Sequence, residues 1–223
     1  MKSKLIVALD VDNYERATKL VEELGGLVDV FKVGSQLFTR VGPKIVEFIN
    51  ERDRRCFLDL KFHDIPSTVA KAVESAAALR VFMLTLHAGG GADMLKTAVE
   101  VPNHPLLLGV TVLTSVGGIV EGEVLRLAQL AKACGLDGVT SSPQEIHSLR
   151  AALGPNFLVV TPGIRPAGAE AGDQKRWMTP AEAIAAGASY IVVGRPIIGS
   201  HKPAEAALRV TSEIAAASAC TPL

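Results

Sequence analysis

The stretch RCFLDLKFHDIPSTVAKAVESAAAL, residues 55–79, combines the two patterns that decide the fold. Its first part, RCFLDL at 55–60, is a short and nearly continuous apolar run, which is typical of a strand buried on both faces. Its second part, 67–79, has apolar residues at helical spacing. The residues of this stripe are Val69, Ala72, Val73, Ala76 and Leu79. The stretch therefore predicts a strand followed by an amphipathic helix, which is one β-α unit.

The same unit recurs along the whole chain, with apolar runs in strict alternation with helical segments. The predicted strands are 5–9, 28–34, 55–60, 81–87, 106–113, 137–140, 157–163 and 190–194. The predicted helices are 13–24, 42–52, 67–79, 92–99, 123–134, 143–153, 179–186 and 204–217. Strict alternation gives an α/β protein with a parallel sheet, and eight units close naturally into a cylinder, so we predict a (β/α)8 TIM barrel. A doubly wound open sheet is the alternative.

The composition is that of a globular protein rather than a polyelectrolyte or a disordered chain. Among 223 residues, 23 Lys+Arg balance 23 Asp+Glu, so the net charge is zero, which argues against broad electrostatic binding to nucleic acid. A hydrophobic fraction of 48% is enough to build a core. No linker or low-complexity segment divides the sequence, so we predict one domain over residues 1–223.

The cysteine usage and the apolar runs predict a cytoplasmic protein. Cys56, Cys134 and Cys220 are widely separated, which indicates neither a disulfide framework nor a structural zinc site. The first apolar run, 5–9, is too short for a signal peptide, and no run approaches the ~18 residues of a membrane span.

Charged residues interrupt the apolar strands near their carboxyl ends, where a barrel carries its active site. Asp10 follows the first strand, Lys32 lies in the second, and Asp59 and Lys61 lie in the third, with Asp64 just beyond. Residues two apart on a strand share a face, so the third strand points both its charges into the barrel mouth. Since isolated charges are costly inside apolar strands, we expect these side chains to converge there. The alternative is a buried salt bridge that only fills the barrel interior.

A second group of residues predicts an anion site after the seventh and eighth strands, where barrels of this type often bind phosphate. The long irregular stretch 161–178 carries several cations, and a loop of that length is usually functional or disordered. Pro196 suits the first turn of a short helix, whose free N–H groups attract an anion. The residues of this group are Arg165, Lys175, Arg176, Gly194 and Arg195. For the loop residues, ordinary solvated charges are the alternative.

The motif D-x-K-x-x-D-I-P-x-T-V, formed by residues 59–69, resembles that of the orotidine 5′-phosphate decarboxylase family. Other segments agree in order along the chain, from residue 5 to about 200. They are Leu9-Asp10, Phe31-Lys32-Val33-Gly34, 111–115, 161–165, 172–176 and Val193-Gly194-Arg195-Pro196. The core D-x-K-x-x-D alone is less specific, because related sugar-phosphate barrels share it.

The resemblance implies decarboxylation of orotidine 5′-monophosphate to UMP, without a cofactor or a metal. It assigns Lys61 the protonation of C6, places Asp59 beside the substrate carboxylate, and completes a Lys32-Asp59-Lys61-Asp64 charge array. It also implies a homodimer in which Asp64 and Thr68 reach into the partner's site. The implied substrate-binding residues are Asp10, Lys32, Ile65, Thr68, Thr114, Pro162, Arg165, Gln174, Gly194 and Arg195.

Two other functions compete with this interpretation. The nearer is a metal-dependent sugar-phosphate decarboxylase or aldolase on the same barrel, and the other is a non-catalytic nucleotide-binding barrel. The non-catalytic barrel predicts loss of an array residue, and all four are present. For His63 we favour packing or an interface, and for His87 the sequence leaves the barrel mouth and a structural hydrogen bond equally open.

Overall fold

The computed structural model of the protein describes residues 4–113, 116, 120–166 and 177–219. Eight parallel strands pair in chain order, and the eighth pairs with the first, so the sheet closes into a barrel. The strands are β1 (Leu5–Ala8), β2 (Val30–Gly34), β3 (Arg55–Phe62), β4 (Met83–His87), β5 (Leu106–Val110), β6 (Gly138–Thr140), β7 (Leu158–Thr161) and β8 (Tyr190–Val193). The predicted (β/α)8 fold is therefore confirmed, and the open sheet is excluded.

Helices connect successive strands and cover the outside of the barrel. They are α1 (Tyr14–Leu24), α2 (Ser35–Val41), α3 (Lys44–Glu51), α4 (Pro66–Ala78), α5 (Gly91–Val99), α6 (Glu121–Ala133), α7 (Ile146–Leu153), α8 (Pro180–Ala185), α9 (Arg195–Ile198) and α10 (Pro203–Ala219). Among the described helices, none is long and apolar enough to cross a membrane.

Two apolar clusters explain why the strands read as continuous hydrophobic runs. Successive residues of a strand point to opposite faces, so one set fills the lumen and the other packs under the helices. The lumen cluster consists of Ile6, Ala8, Val30, Phe57, Met83, Leu108, Val160 and Val192. The larger outer cluster joins the helices to the strands. The lumen is thus a packed core, and a ligand can enter only at its ends.

The structure differs from the prediction most clearly after β2. We predicted a single helix at 42–52, whereas α2 precedes it and α3 begins only at Lys44. Gly42 has a φ of 71°, and Pro43 follows it as the N-cap of α3, so the chain turns sharply between the helices. Leu37 is the only buried residue of α2, which explains why the sequence shows no amphipathic stripe there.

β3 and β5 end at other residues than predicted. β5 ends at Val110 instead of 113. β3 continues to Phe62, and its pairing with β4 shifts by two residues between Leu58 and Phe62. This bulge carries the charged end of the strand, and it shapes the site described next.

Candidate active site

A cavity of about 250 Å³ lies at the carboxyl ends of the strands, above the lumen core. Strands or strand-end loops from all around the barrel except β4 line it. The lining residues are Ala8, Asp10, Lys32, Phe57, Asp59, Lys61, Val110, Val112, Leu113, Thr140, Ser141, Pro162, Gly163, Arg165, Val192, Gly194 and Arg195. This is the face on which barrel enzymes place their catalytic groups.

Four of the predicted charges meet on one side of this cavity. Lys61 Nζ lies 2.9 Å from both carboxylate oxygens of Asp59. Lys32 Nζ lies 3.6 Å from Asp59 Oδ2 and 3.1 Å from Asp10 Oδ1. The order around the cluster is therefore Asp10, Lys32, Asp59, Lys61, with carboxylates and ammonium groups alternating.

The environment of Asp59 keeps it ionised. Burial by itself raises the pKa of a carboxyl, but the positive charges of Lys32 and Lys61 and hydrogen bonds from Lys61 and Thr85 outweigh burial and lower the pKa of Asp59 below its ordinary value. Asp59 is only 9% exposed. It is thus a nearly buried anion at neutral pH, held by two cations that also face the cavity.

The bulge in β3 sets the position of Lys61. Lys61 has a φ of 52°, in the left-handed region that a residue with a Cβ seldom adopts. Its backbone N–H donates to Thr85 Oγ1 on β4 over 2.9 Å, and Thr85 in turn donates to Asp59 Oδ1 over 3.0 Å. The local backbone is therefore irregular at the residue that carries the central ammonium group.

Gly34, at the end of β2, makes room for the neighbouring ion pair. A Cβ at this position would lie 3.0 Å from Lys32 Nζ and 3.5 Å from Asp10 Oδ1. A side chain at this position would require the ammonium group of Lys32 to shift by a few tenths of an ångström between the two carboxylates.

The other side of the cavity carries the predicted anion site. Gly194 follows β8 as the N-cap of α9, and Arg195 is the first residue of that helix, with Pro196 in its first turn as predicted. Arg165 is buried, and its backbone N–H donates to Met178 O over 3.0 Å. Ile164 pairs with Met178 as an isolated parallel bridge, so both ends of the long predicted loop are held together.

Some predicted residues fall elsewhere. Thr114 and Gln174, and with them Lys175 and Arg176, lie outside the described residues. Asp64, Ile65 and Thr68 are exposed and do not line the cavity of their own chain.

The two histidines with open roles lie together beside the cluster. The rings of His63 and His87 stack, with centroids 5.2 Å apart and planes inclined by 26°. His87 Nδ1 is buried and has no hydrogen-bond partner among the described residues. Burial, and then the nearby His63 and Lys61, lower the pKa of His87 below its ordinary value. The pair therefore packs together at the barrel mouth.

Sequence reasoning missed several residues of the cavity. Phe57 lies two positions before Asp59, so strand alternation would have placed it on the same face. Thr140 and Ser141 end β6 and could have been found by the positional rule applied to the other strands. Thr85 gave no signal, because a threonine within an apolar strand looks like any β-branched strand residue.

The arrangement can stabilise negative charge and transfer a proton. An ammonium group in a partly dry cavity stabilises an anion that develops beside it, and it can then donate a proton to that anion. A carboxylate next to it repels an anionic group of a bound ligand. Within the described part of the chain, no three His, Cys, Asp or Glu side chains are grouped so as to hold a metal ion.

The fold and this cavity together define a barrel enzyme that acts on a small anionic molecule. Residues 3–210 match the model of the orotidine 5′-phosphate decarboxylase / HUMPS family. The chain therefore belongs to this family.

Within the family, the chain is similar to proteins named orotidine 5′-phosphate decarboxylase. The chain is 51% identical to the orotidine 5′-phosphate decarboxylase of Syntrophotalea carbinolica, over 97% of this chain and 96% of that protein. It is 47% identical to that of Moorella thermoacetica, over 96% and 92%. The crystal structure of orotidine 5′-phosphate decarboxylase from Lactobacillus acidophilus superposes with a TM-score of 0.84 at 38% identity, covering 96% of this chain and 99% of that one.

Proposed function

We propose that this enzyme decarboxylates orotidine 5′-monophosphate to UMP, the last step of UMP synthesis, and that Lys61 protonates C6 without help from a cofactor. Curated relatives of similar length and nearly half identical sequence carry the decarboxylase name. The observation that carries the mechanism is the pairing of Lys61 Nζ with both oxygens of Asp59 at the cavity wall.

Decarboxylation requires a cation held close to C6 of the pyrimidine ring. Loss of CO₂ breaks the C6–carboxylate bond and leaves its electron pair on C6, where the pyrimidine ring delocalises it poorly. The ammonium group of Lys61 stabilises this charge as it develops and then donates a proton to C6. Lys61 leaves the step as a neutral amine and regains its proton from water.

Asp59 contributes through repulsion. Two like charges ~4 Å apart interact with about 4 kcal/mol at an effective dielectric constant near 20. A substrate carboxylate next to Asp59 feels this repulsion, which falls as neutral CO₂ departs. Lys32 keeps Asp59 ionised and lies within 3.6 Å of it.

The opposite side of the cavity binds the phosphate in this proposal. Gly194 and Arg195 begin a short helix after β8, and Arg165 lies in the β7–α8 connection. The sequence motif adds Gln174 and Pro162 to this group, and Thr114 to the pyrimidine side. The phosphate is remote from C6, so its binding energy can position the pyrimidine ring for reaction.

We further propose a homodimer in which Asp64 and Thr68 complete the partner's site. Both are exposed at the cavity end of the barrel, and Asp64 accepts only a local hydrogen bond from Ile65 N among the bonds of the described residues. Ile65 between them is 63% exposed, an apolar side chain suited to burial against a second copy.

A mixing experiment tests the shared site. Lys61→Ala and Asp64→Ala are each expected to be nearly inactive alone. When they are co-expressed in equal amounts, half of the dimers are mixed and each has one intact site, so about a quarter of wild-type activity returns. If Asp64 serves its own chain, every site in a mixed dimer lacks one residue, and no activity returns.

The reaction itself is tested by following the absorbance of orotidine 5′-monophosphate. We expect the absorbance to fall on addition of purified protein in EDTA, at the same rate as without the chelator. A fall that requires added Mg²⁺ would support the metal-dependent sugar-phosphate enzyme instead. Binding of the nucleotide without any change in absorbance would support the non-catalytic barrel.

The one-domain organisation over residues 1–223 and the cytoplasmic location belong to the same proposal. Their support is the continuous barrel and the kinship with enzymes of nucleotide synthesis.

A further inference from the structure

Thr85 lies at the centre of the β3–β4 contact, and the argument for its role rests on the mechanism proposed above for Lys61 and Asp59. It is fully buried. Met83, two residues earlier on β4, belongs to the lumen cluster, so Thr85 points to the same inner face. The side chain therefore reaches the site from below, although it does not line the cavity itself.

One hydroxyl makes two hydrogen bonds in opposite directions. Thr85 Oγ1 accepts from the backbone N–H of Lys61 over 2.9 Å and donates to Asp59 Oδ1 over 3.0 Å. It thus connects the backbone of the proton donor to the carboxylate that repels the substrate. A valine has the same shape and can make neither bond.

The bulge explains why the connection is needed. Between the pairs Leu58–Leu84 and Phe62–Leu86, three residues of β3 face one residue of β4, so the N–H of Lys61 has no place in the regular ladder. A buried N–H without an acceptor is costly, and the left-handed φ of Lys61 is sparsely populated. The hydroxyl satisfies this N–H and holds the irregular backbone.

We propose that Thr85 is a positioning residue for decarboxylation, which holds the Lys61 backbone and the Asp59 carboxylate in their reactive geometry. Substrate binding draws the Lys61 ammonium group from Asp59 towards C6. The hydrogen bond from Thr85 to Oδ1 keeps Asp59 in place while the Lys61 ammonium group moves away from it.

The test compares three variants. Thr85→Val removes both hydrogen bonds and keeps the shape, whereas Thr85→Ser keeps the hydroxyl. Thr161→Val is the matched control, since Thr161 is equally buried on the helix side of β7 and its Oγ1 has no partner among the described residues. Steady-state kinetics on orotidine 5′-monophosphate and thermal unfolding are measured for each.

We expect Thr85→Val to lower kcat about 100-fold, the scale of a misplaced catalytic group, with KM nearly unchanged. Thr85→Ser should recover most of kcat, and Thr161→Val should retain it. The acid limb of the kcat–pH profile should also move to higher pH in Thr85→Val. The reason is that Thr85 is one of the donors that lower the pKa of Asp59, and its removal lets that pKa rise.

Wild-type kcat in Thr85→Val, or a serine variant as slow as the valine variant, would overturn the proposal. The same holds if kcat falls only in step with the folded fraction and the pH profile stays fixed. If Thr85→Val does not fold, Thr85→Ala against Thr85→Ser measures the same hydroxyl. Normal activity in Lys61→Ala would instead refute the proposed mechanism, whatever the Thr85 variants do.

Discussion

Both ends of the barrel hold charged groups that are at least partly buried, but the hydrogen-bond partners of these groups differ in kind. At the amino end of β7 and β8, the guanidinium of Arg150 donates to four carbonyls, those of Gly154, Pro155, Phe157 and Gly187, over 2.5 to 3.4 Å. It also donates to Ser189 Oγ over 2.8 Å, and that hydroxyl accepts from the backbone N–H of Val159 on β7 as well. The acceptors around this cation come from the fold itself, and they tie α7 to two strands.

At the carboxyl end, the charged groups pair with one another on one side of the cavity. Asp59 and Lys61 pair within one strand, and Lys32 shares its ammonium group between two carboxylates. A ligand can compete for such groups, whereas it cannot compete for a cation enclosed by carbonyls. The charged group at the amino end therefore stabilises the barrel, whereas those at the carboxyl end remain available to interact with a ligand.

Lys61→Ala tests the chemical end and should have the largest effect. We expect kcat/KM to fall by about 10⁴-fold or more, which corresponds to about 5 kcal/mol of transition-state stabilisation. The melting temperature should change little, because Asp59 keeps Lys32 as a partner. Spectrophotometric turnover and thermal unfolding check the two parts, and near-normal turnover would contradict the assignment.

Arg150→Met tests the amino end of the barrel, and it should lower stability and leave activity unchanged, the reverse of Lys61→Ala. Loss of hydrogen bonds from a cation to five acceptors should lower the free energy of unfolding by about 3 kcal/mol, with activity per folded molecule unchanged. Urea unfolding measures the loss. Arg126→Met is the control, since among the described residues Arg126 pairs only with Glu123, at an exposed position of α6, and the stability of this variant should match wild type.

The sequence determined the barrel and most of the charged cluster, because both follow from position along a strand. Buried parallel strands read as apolar runs, and a charge at the end of such a run points to the mouth. The helix α2 could not be predicted in this way, since it buries only Leu37.

The bulge could not be predicted for a different reason. Lysine has no preference for the left-handed region, and the sequence around Lys61 gives no sign of the hydrogen bond from its N–H to Thr85 Oγ1 that supports this conformation. Alternation placed Asp59 and Lys61 on one side correctly, but it assumed a regular strand.

Arg195→Ala separates the two sides of the cavity at the carboxyl end, because it removes a cation of the proposed phosphate site and leaves the charged cluster around Lys61 unchanged. We expect kcat/KM for orotidine 5′-monophosphate to fall about 100-fold, while turnover of the nucleoside without its phosphate stays as in wild type. Arg209→Ala, at an exposed position of α10, serves as the control. An unchanged rate on the phosphorylated substrate would refute the phosphate assignment.

His87→Asn should have the smallest effect of these substitutions. It should change the pH dependence of folding stability, and only below neutral pH. The pKa of His87 is lowered from 6.5 in the folded state, so the unfolded chain takes up the proton first as the pH falls. The contribution of His87 to stability is therefore complete above pH 6.5 and is lost as the pH falls towards the folded pKa.

Unfolding midpoints measured between pH 7.5 and 5, about one unit or more on either side of the ordinary histidine pKa, test this. The decline in stability should be shallower in His87→Asn than in wild type. His201→Asn, a substitution of an exposed histidine, should follow wild type. Parallel curves for all three proteins would contradict the prediction.

The bridge between Ile164 and Met178 has a consequence for how this barrel can change over evolution. Thr179 and Glu182 close a capping box immediately after the bridge, so α8 begins at a fixed point. The chain length between the bridged residues can therefore vary without moving β7 or α8, and doubling a loop costs only about 0.6 kcal/mol in closure entropy. Insertions and deletions in this connection can alter ligand preference while the scaffold is inherited intact.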